Sequence, residues 1–323
     1  MLRSSARLIS GVLLLSALSW TAQAADWPNG ATTIVVPYTP GNITDIAARL
    51  LAQKLGERSG QTVIVENRAG GSTQIGTGAV ARAPADGKTL LLTGAVFATN
   101  PALFEKLPYD SEKDLAPVGL VVSNPLVLVT ATAKPYADFA GAFAFAKQNP
   151  GRFTVASGGN GTLSHMAMAL TAISTKTDML HVPYRGGGAA VTDLLSGEVE
   201  GMWDNPSSAI PHINGGRTRP LAVSGQSRNP ALPTVPTMRE LGFADFEVIN
   251  WFGMFAPGKT DATLLDVMHR EIQAVLELPD VKERFAKEGV ATGGPSRAGY
   301  AAFVASETKK WGTIIREKNI RAD

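Results

Sequence analysis

A chain of 323 residues with 30 basic and 28 acidic side chains, 44% hydrophobic residues and no cysteine has ordinary globular composition. Near-balanced charge without runs of Lys or Arg argues against nucleic acid or an anionic membrane as partner, and zero Cys leaves stability to core packing alone. The length exceeds what one core usually fills, so two domains are expected.

Residues 1–24 read as a secretory leader outside the fold. Arg3 and Arg7 give a positive start, Leu8 to Leu18 an apolar run too short for a bilayer span, and Ala22-Gln23-Ala24 a small-residue cleavage site. Loss of Arg3 and Arg7 brings the 30 basic residues to 28, equal to the 28 acids. The mature chain is therefore expected to be neutral and periplasmic.

Strand-like and helix-like segments then alternate, the pattern of a parallel α/β architecture. Thr33 to Pro37 reads as a buried strand. The stretch from Thr44 to Gly60 reads as a helix, with Ile46, Ala47, Leu50, Leu51 and Leu55 on one face. Further strands are predicted at Gln61 to Glu66, Leu90 to Thr93, Pro117 to Val122 and Pro125 to Thr130. A second block adds helices at Asp138 to Gln148, Thr162 to Ser174 and Ala189 to Ser196. Its strands fall at Phe153 to Ala156, Met179 to Val182, Gly201 to Asp204 and Leu221 to Ser224. The segment from Glu247 to Phe255 returns as an extended apolar run. Helices at Asp261 to Leu276, Pro279 to Glu288 and Arg297 to Lys318 finish the chain. Extended segments at Val121 to Val129 and Val248 to Phe255 suggest a hinge of two crossings, with residues 25–125 and 250–323 as one domain and 126–249 as the other.

In such sheets ligands sit where strands end and helices begin. Three loops qualify. The first, from Tyr38 to Asp45, offers Gly41 for close backbone approach and the capping types Asn42, Thr44 and Asp45. The N–H groups of the following helical turn suit an anion; a plain capped helix start is the alternative. The second, from Ser157 to His165, holds three glycines among hydroxyl and amide side chains, more than a structural turn needs. His165 is expected to bond backbone from a helix face. The third, Asn67 to Gly76, lacks the spacing of a phosphate-binding motif and reads as a tight loop bordering the cleft. Phe97, Trp203, Trp251 and Phe252 read equally well as core. Arg185 is a candidate for a second carboxylate or a surface ion pair. Asp204, at a strand end, would oppose an anion unless the ligand also carried an amine.

Catalytic motifs are missing: there is no Gly-x-Ser-x-Gly elbow, no His pair at metal spacing and no Cys nucleophile. His165, His181, His212 and His269 are scattered. Ser157 with His165 is the one pair on which a secreted α/β hydrolase could be argued.

Taken in order, several short runs resemble the Bug-type receptors of the tripartite tricarboxylate transporter family. They are Val35-Val36-Pro37 with Pro40-Gly41 and Thr44-Asp45; Val65 to Arg68; Asn100-Pro101; and Leu107 to Asp110. They continue with Ser157 to Gly161 and His165, His181 to Gly186, Leu232 to Thr237, and Trp251 to Pro257. The resemblance runs from Trp27 almost to Asp323. It implies an α/β two-domain periplasmic-binding fold of the Venus-flytrap type II class. It also implies a partner permease of large and small membrane subunits, and a ligand carboxylate held by amides, hydroxyls and water. Two departures, Asn42 and the run Gly70-Gly71-Ser72-Thr73, stand where the family usually has more glycine, so ligand choice does not carry over.

The expectation is thus a receptor rather than an enzyme, capturing a small carboxylate (dicarboxylate, aromatic acid or amino acid). Tyr38, Thr39, Asn42, Thr44, Ser157, Asn160 and Thr162 would hold it by side chain, Gly41, Gly158 and Gly161 by backbone. Asp45 would brace its loop, and Asp204 would border the site. No cofactor or metal is expected, and the protein should be a monomer. A ligand sensor is the alternative role.

Overall fold

The computed structural model describes residues 27–321 apart from Arg185 and Glu288. The expected leader, and the candidate Arg185, therefore lie outside the described residues.

The chain begins with β1 (Thr32–Val36), α1 (Ile43–Ser59), β2 (Val63–Asn67), α2 (Gln74–Ala81), β3 (Thr89–Gly94) and α3 (Val96–Leu103). The β-branched run Thr-Thr-Ile-Val-Val makes β1 a strand suited to burial on both faces. Asn42 starts α1 by accepting the Asp45 N–H, and Gly60 stops it in the left-handed conformation at φ 69°. Next come β4 (Leu115–Pro125), β5 (Val127–Ala131), α4 (Phe139–Gln148), β6 (Phe153–Ser157), α5 (Leu163–Thr175) and β7 (Met179–Pro183). They are followed by α6 (Gly187–Ser196), β8 (Gly201–Asp204), α7 (Pro206–Asn214), β9 (Thr218–Val223) and β10 (Ile249–Pro257). The chain closes with α8 (Ala262–Leu276), α9 (Pro279–Ala286), β11 (Ala291–Thr292) and α10 (Arg297–Glu317).

Two sheets result, ordered β11-β4-β10-β3-β1-β2 and β7-β6-β8-β5-β9. Each has a parallel half, β2-β1-β3 and β7-β6-β8. Each also has antiparallel additions, β10 with β4 and β11 in one and β5 with β9 in the other. The parallel α/β pattern read from alternation holds for these halves, and the antiparallel additions make both sheets mixed. The physical reason is the crossings: a strand arriving from the other sheet enters from the opposite end and pairs antiparallel.

Helices cover both faces of each sheet. One apolar cluster packs α1, α8 and α9 on the first sheet, and another packs α6 and α7 on the second. A third runs continuously between them, joining Phe97 and Phe255 to Trp203, Trp251 and Trp311. Phe97 stacks on Phe255 with centroids 4.3 Å apart, and Trp251 meets Tyr300 edge-on at 6.2 Å, so both are core residues. Trp203 is buried with its Nε1 donating to Thr171 Oγ1 at 2.9 Å.

Two stretches cross between the sheets at one place. Only Leu126 separates β4 from β5, and the returning segment enters β10 just after Val248. Ser224 lies between them: its Oγ accepts the Leu126 N–H at 2.7 Å and donates to the Val248 carbonyl.

Candidate ligand-binding site

The carboxyl ends of β1, β3, β6 and β8 all point to one region, where the antiparallel register also brings the start of β10 and the end of β4. Two adjoining cavities lie there, of about 300 and 250 Å³, sharing Tyr38, Val96 and Thr162.

The first loop is braced from within. Asp45 accepts the Gly41 N–H and Arg49 Nε on Oδ2 at 3.0 Å each, and Asn67 Nδ2 on Oδ1 at 3.0 Å. Burial works to raise its pKa, but the bonds from Arg49, Gly41 and Asn67 prevail and hold the carboxyl below its ordinary range. Asn42 caps α1 and donates to the Thr39 carbonyl at 2.8 Å. Gly41 has φ 90°, a left-handed backbone that favours glycine. Tyr38 reaches across to β3, where its hydroxyl accepts the Gly94 N–H at 3.1 Å and lies 3.4 Å from Thr93 Oγ1. Burial raises that phenol's pKa despite the bonds to Thr93 and Gly94.

The second loop is held by histidines. Ser157 Oγ lies 2.6 Å from His181 Nε2 and accepts the Gly159 N–H at 3.1 Å. The Gly161 N–H donates to His165 Nδ1 at 3.3 Å, and the two imidazoles stack. Burial, then the neighbouring His181, pushes the His165 pKa down to about 3, so the ring is neutral and its Nδ1 is free to accept. Thr162 caps α5, donates to the Gly159 carbonyl at 2.8 Å and lines both cavities. Thr99 Oγ1, from α3, donates to the Gly161 carbonyl at 3.2 Å and ties the second loop to the first sheet.

Tyr38, Thr39, Asn42, Asn160, Gly161 and Thr162 thus line one cavity, and Tyr38, Gly158, Thr162 and Asp204 the other. The remaining candidates line neither. Ser157 and Thr44 are buried beneath their loops. Gly41 and Asp45 bond to each other and shape the loop from behind. Ser157 pairs with His181 rather than His165, and although a base is thus within reach its hydroxyl has no exposed surface for a substrate carbonyl to approach.

Sequence reasoning passed over α3, whose Val96, Asn100 and Leu103 form a wall of the larger cavity beside Ser72 and Thr73 of the third loop. Of the amides beside Asp204, it passed over Asn124 and Asn250. Asn205 Oδ1 accepts Asn124 Nδ2 at 3.1 Å and Asn250 Nδ2 at 2.7 Å, and Asn205 and Asn250 both line the smaller cavity. The signal available was position alone: Asn205 follows a strand end. Burial raises the Asp204 pKa, with the Ser208 hydroxyl and the Asn205 N–H acting against it. Among the described residues no Lys or Arg lines either cavity. A larger cavity of about 630 Å³ between α3 and α10 carries Glu105, Asp110 and Glu112, a rim that repels anions.

Comparison with known proteins agrees with this geometry. The family model described as "Tripartite tricarboxylate transporter family receptor" (TctC) matches residues 47–320. BugT of Bordetella pertussis is 35% identical over 96% of both chains. Rpa4515 of R. palustris, solved with adipate, is 30% identical with a TM-score of 0.82, covering 92% of this chain and 99% of its own. MatC of Rhodopseudomonas palustris, solved with malate, is 29% identical with a TM-score of 0.78, covering 90% and 100%. The two hinged α/β domains are the Venus-flytrap fold of these binding proteins, and the chain belongs to the receptors of the tripartite tricarboxylate transporter family.

Proposed function

We propose that the chain is exported by its leader to the periplasm, binds a small carboxylate between its two domains and presents it to the membrane permease subunits of a tripartite transporter. Residues 25–125 with 250–323 would form one jaw and residues 126–249 the other, the receptor acting as a monomer. One observation carries the reading. Loops from the strand ends of both sheets line adjoining cavities whose polar lining, the Asp204 carboxyl apart, is N–H, hydroxyl and amide groups and the starts of helices. Helix starts present partial positive charge, and each N–H bond to a carboxylate is worth about 1.5–3 kcal/mol. A few such bonds offset the cost of association and reach micromolar affinity, about −8 kcal/mol. The adipate and malate held by the two relatives are acids of this size.

Thermal-shift screening against dicarboxylates, aromatic acids and amino acids tests the reading. Stabilisation that rises with the concentration of at least one acid is expected. No response to any carboxylate would refute it.

A further inference from the structure

The smaller cavity has a feature that a pure anion site would not contain. Asp204, the last residue of β8, lines it with 5% of its surface exposed. The start of α5 lines the same cavity through Thr162, Leu163 and Ser164. One wall therefore presents the positive end of a helix and another a carboxyl group.

Among the described residues, the hydrogen-bond partners of Asp204 are neutral. Its oxygens take the Asn205 N–H at 2.8 Å and a bond from the Ser208 hydroxyl. Among the described residues, the titratable group that acts on it is His212, on α7 and outside the cavity lining. The amides of Asn124 and Asn250, which could otherwise donate, are both turned to Asn205 Oδ1. A carboxylate withdrawn from water without a cation is costly, and the debt is settled by whatever cation enters beside it. At about 250 Å³ the space suits a molecule of amino-acid size rather than a drug-sized one.

We infer that the ligand is a zwitterion: an amino acid whose ammonium group lies against Asp204 while its carboxylate faces the start of α5. The inference rests on the carboxylate-receptor reading and narrows it. A second carboxylate placed at Asp204 would meet like charge, and an aromatic ring would leave the carboxyl group uncompensated. An α-hydroxyl would offer a neutral donor and stand between these cases.

Titration calorimetry on the mature chain with matched pairs decides the matter: aspartate against succinate and glutamate against glutarate, for the wild type and Asp204→Asn. In the wild type the amino acid of at least one pair is expected to bind ten times tighter or more than its partner. In Asp204→Asn that ratio should collapse towards one. The side chain keeps its shape in this variant, and a melting curve confirms folding; if it fails to fold, the wild-type ratios alone decide. Succinate or glutarate binding as tightly as its amino partner, or a ratio unmoved by the substitution, overturns the inference while leaving a carboxylate receptor intact. Absence of heat from every acid would strike the receptor reading itself.

Discussion

The imidazoles of His165 and His181 lie face to face beneath the second loop, 3.6 Å between centroids and 12° between planes. Two rings stacked this closely cannot both carry charge, and burial already disfavours a proton on His165. The unfolded chain protonates this histidine near 6.5, whereas the folded one waits until about 3. The unfolded state therefore binds more protons in that window, and stability falls as pH drops through it, at up to about 1.4 kcal/mol per pH unit. His165→Asn keeps an acceptor for the Gly161 N–H and removes the titration. Urea unfolding at pH 7, 6, 5 and 4 should give a shallower decline for the variant. Parallel curves for the two proteins would exclude His165 as the source.

Asp45 acts in the opposite charge state. Its folded pKa is lowered, so its contribution is complete above the ordinary carboxylate value of 3.8 and disappears as pH falls below it. Asp45→Asn at pH 7 is expected to cost about 1–3 kcal/mol, because Gly41, Arg49 and Asn67 lose a charged acceptor. Ligand affinity should drop alongside, since Thr39 and Asn42 sit on the loop that Asp45 holds. Denaturant midpoints and a binding titration on the same sample measure both.

Gly161 is confined in two ways. Its φ is 72°, and a Cβ there would stand 2.2 Å from Leu103 Cδ1. Left-handed backbone alone costs a non-glycine residue about 1–2 kcal/mol. Leu103 can swing aside only by moving within the lining of the 300 Å³ cavity. Gly161→Ala should therefore lower the melting temperature by several degrees and weaken binding more than a stability loss of that size implies. A variant with a lower melting temperature and unaltered affinity would contradict the second half.

Asn205→Ala removes the oxygen that receives Asn124 and Asn250. Two partly buried amide donors are then left open, an expected cost of about 1–3 kcal/mol. Because Asn124 lies one residue from the end of β4 and Asn250 one residue into β10, the loss should also loosen the crossing. Small-angle scattering should show a larger radius of gyration for the free variant than for the free wild type.

The strand-end rule pointed to these cavities, because Tyr38, Gly158 and Thr162 follow strands and Asp204 ends one, and the β-branched and apolar runs of those strands are plain in the sequence. Asn42 was likewise readable as a cap. What stayed hidden depended on residues distant in sequence. Nothing near Ser157 announces that its hydroxyl meets His181, and the Asn124, Asn205 and Asn250 triplet joins residues 81 and 45 positions apart. α2, α3 and α7 escaped for a local reason. Gly76 and Gly78, Pro101, and Pro206 with Pro211 depress helical propensity, and these short helices form because neighbouring layers cover them.

Ser224 has a mechanical consequence. With one hydroxyl it joins the Leu126 N–H to the Val248 carbonyl, so both connecting straps run past a single pin. Neither strap can bend alone without breaking that link. Rotation of the halves then reduces to one angle, as a door turns on one axis. Cargo anywhere between the jaws would be broadcast to the outer surface as that angle, and a docking protein touching both halves could tell a loaded receptor from an empty one without meeting the cargo.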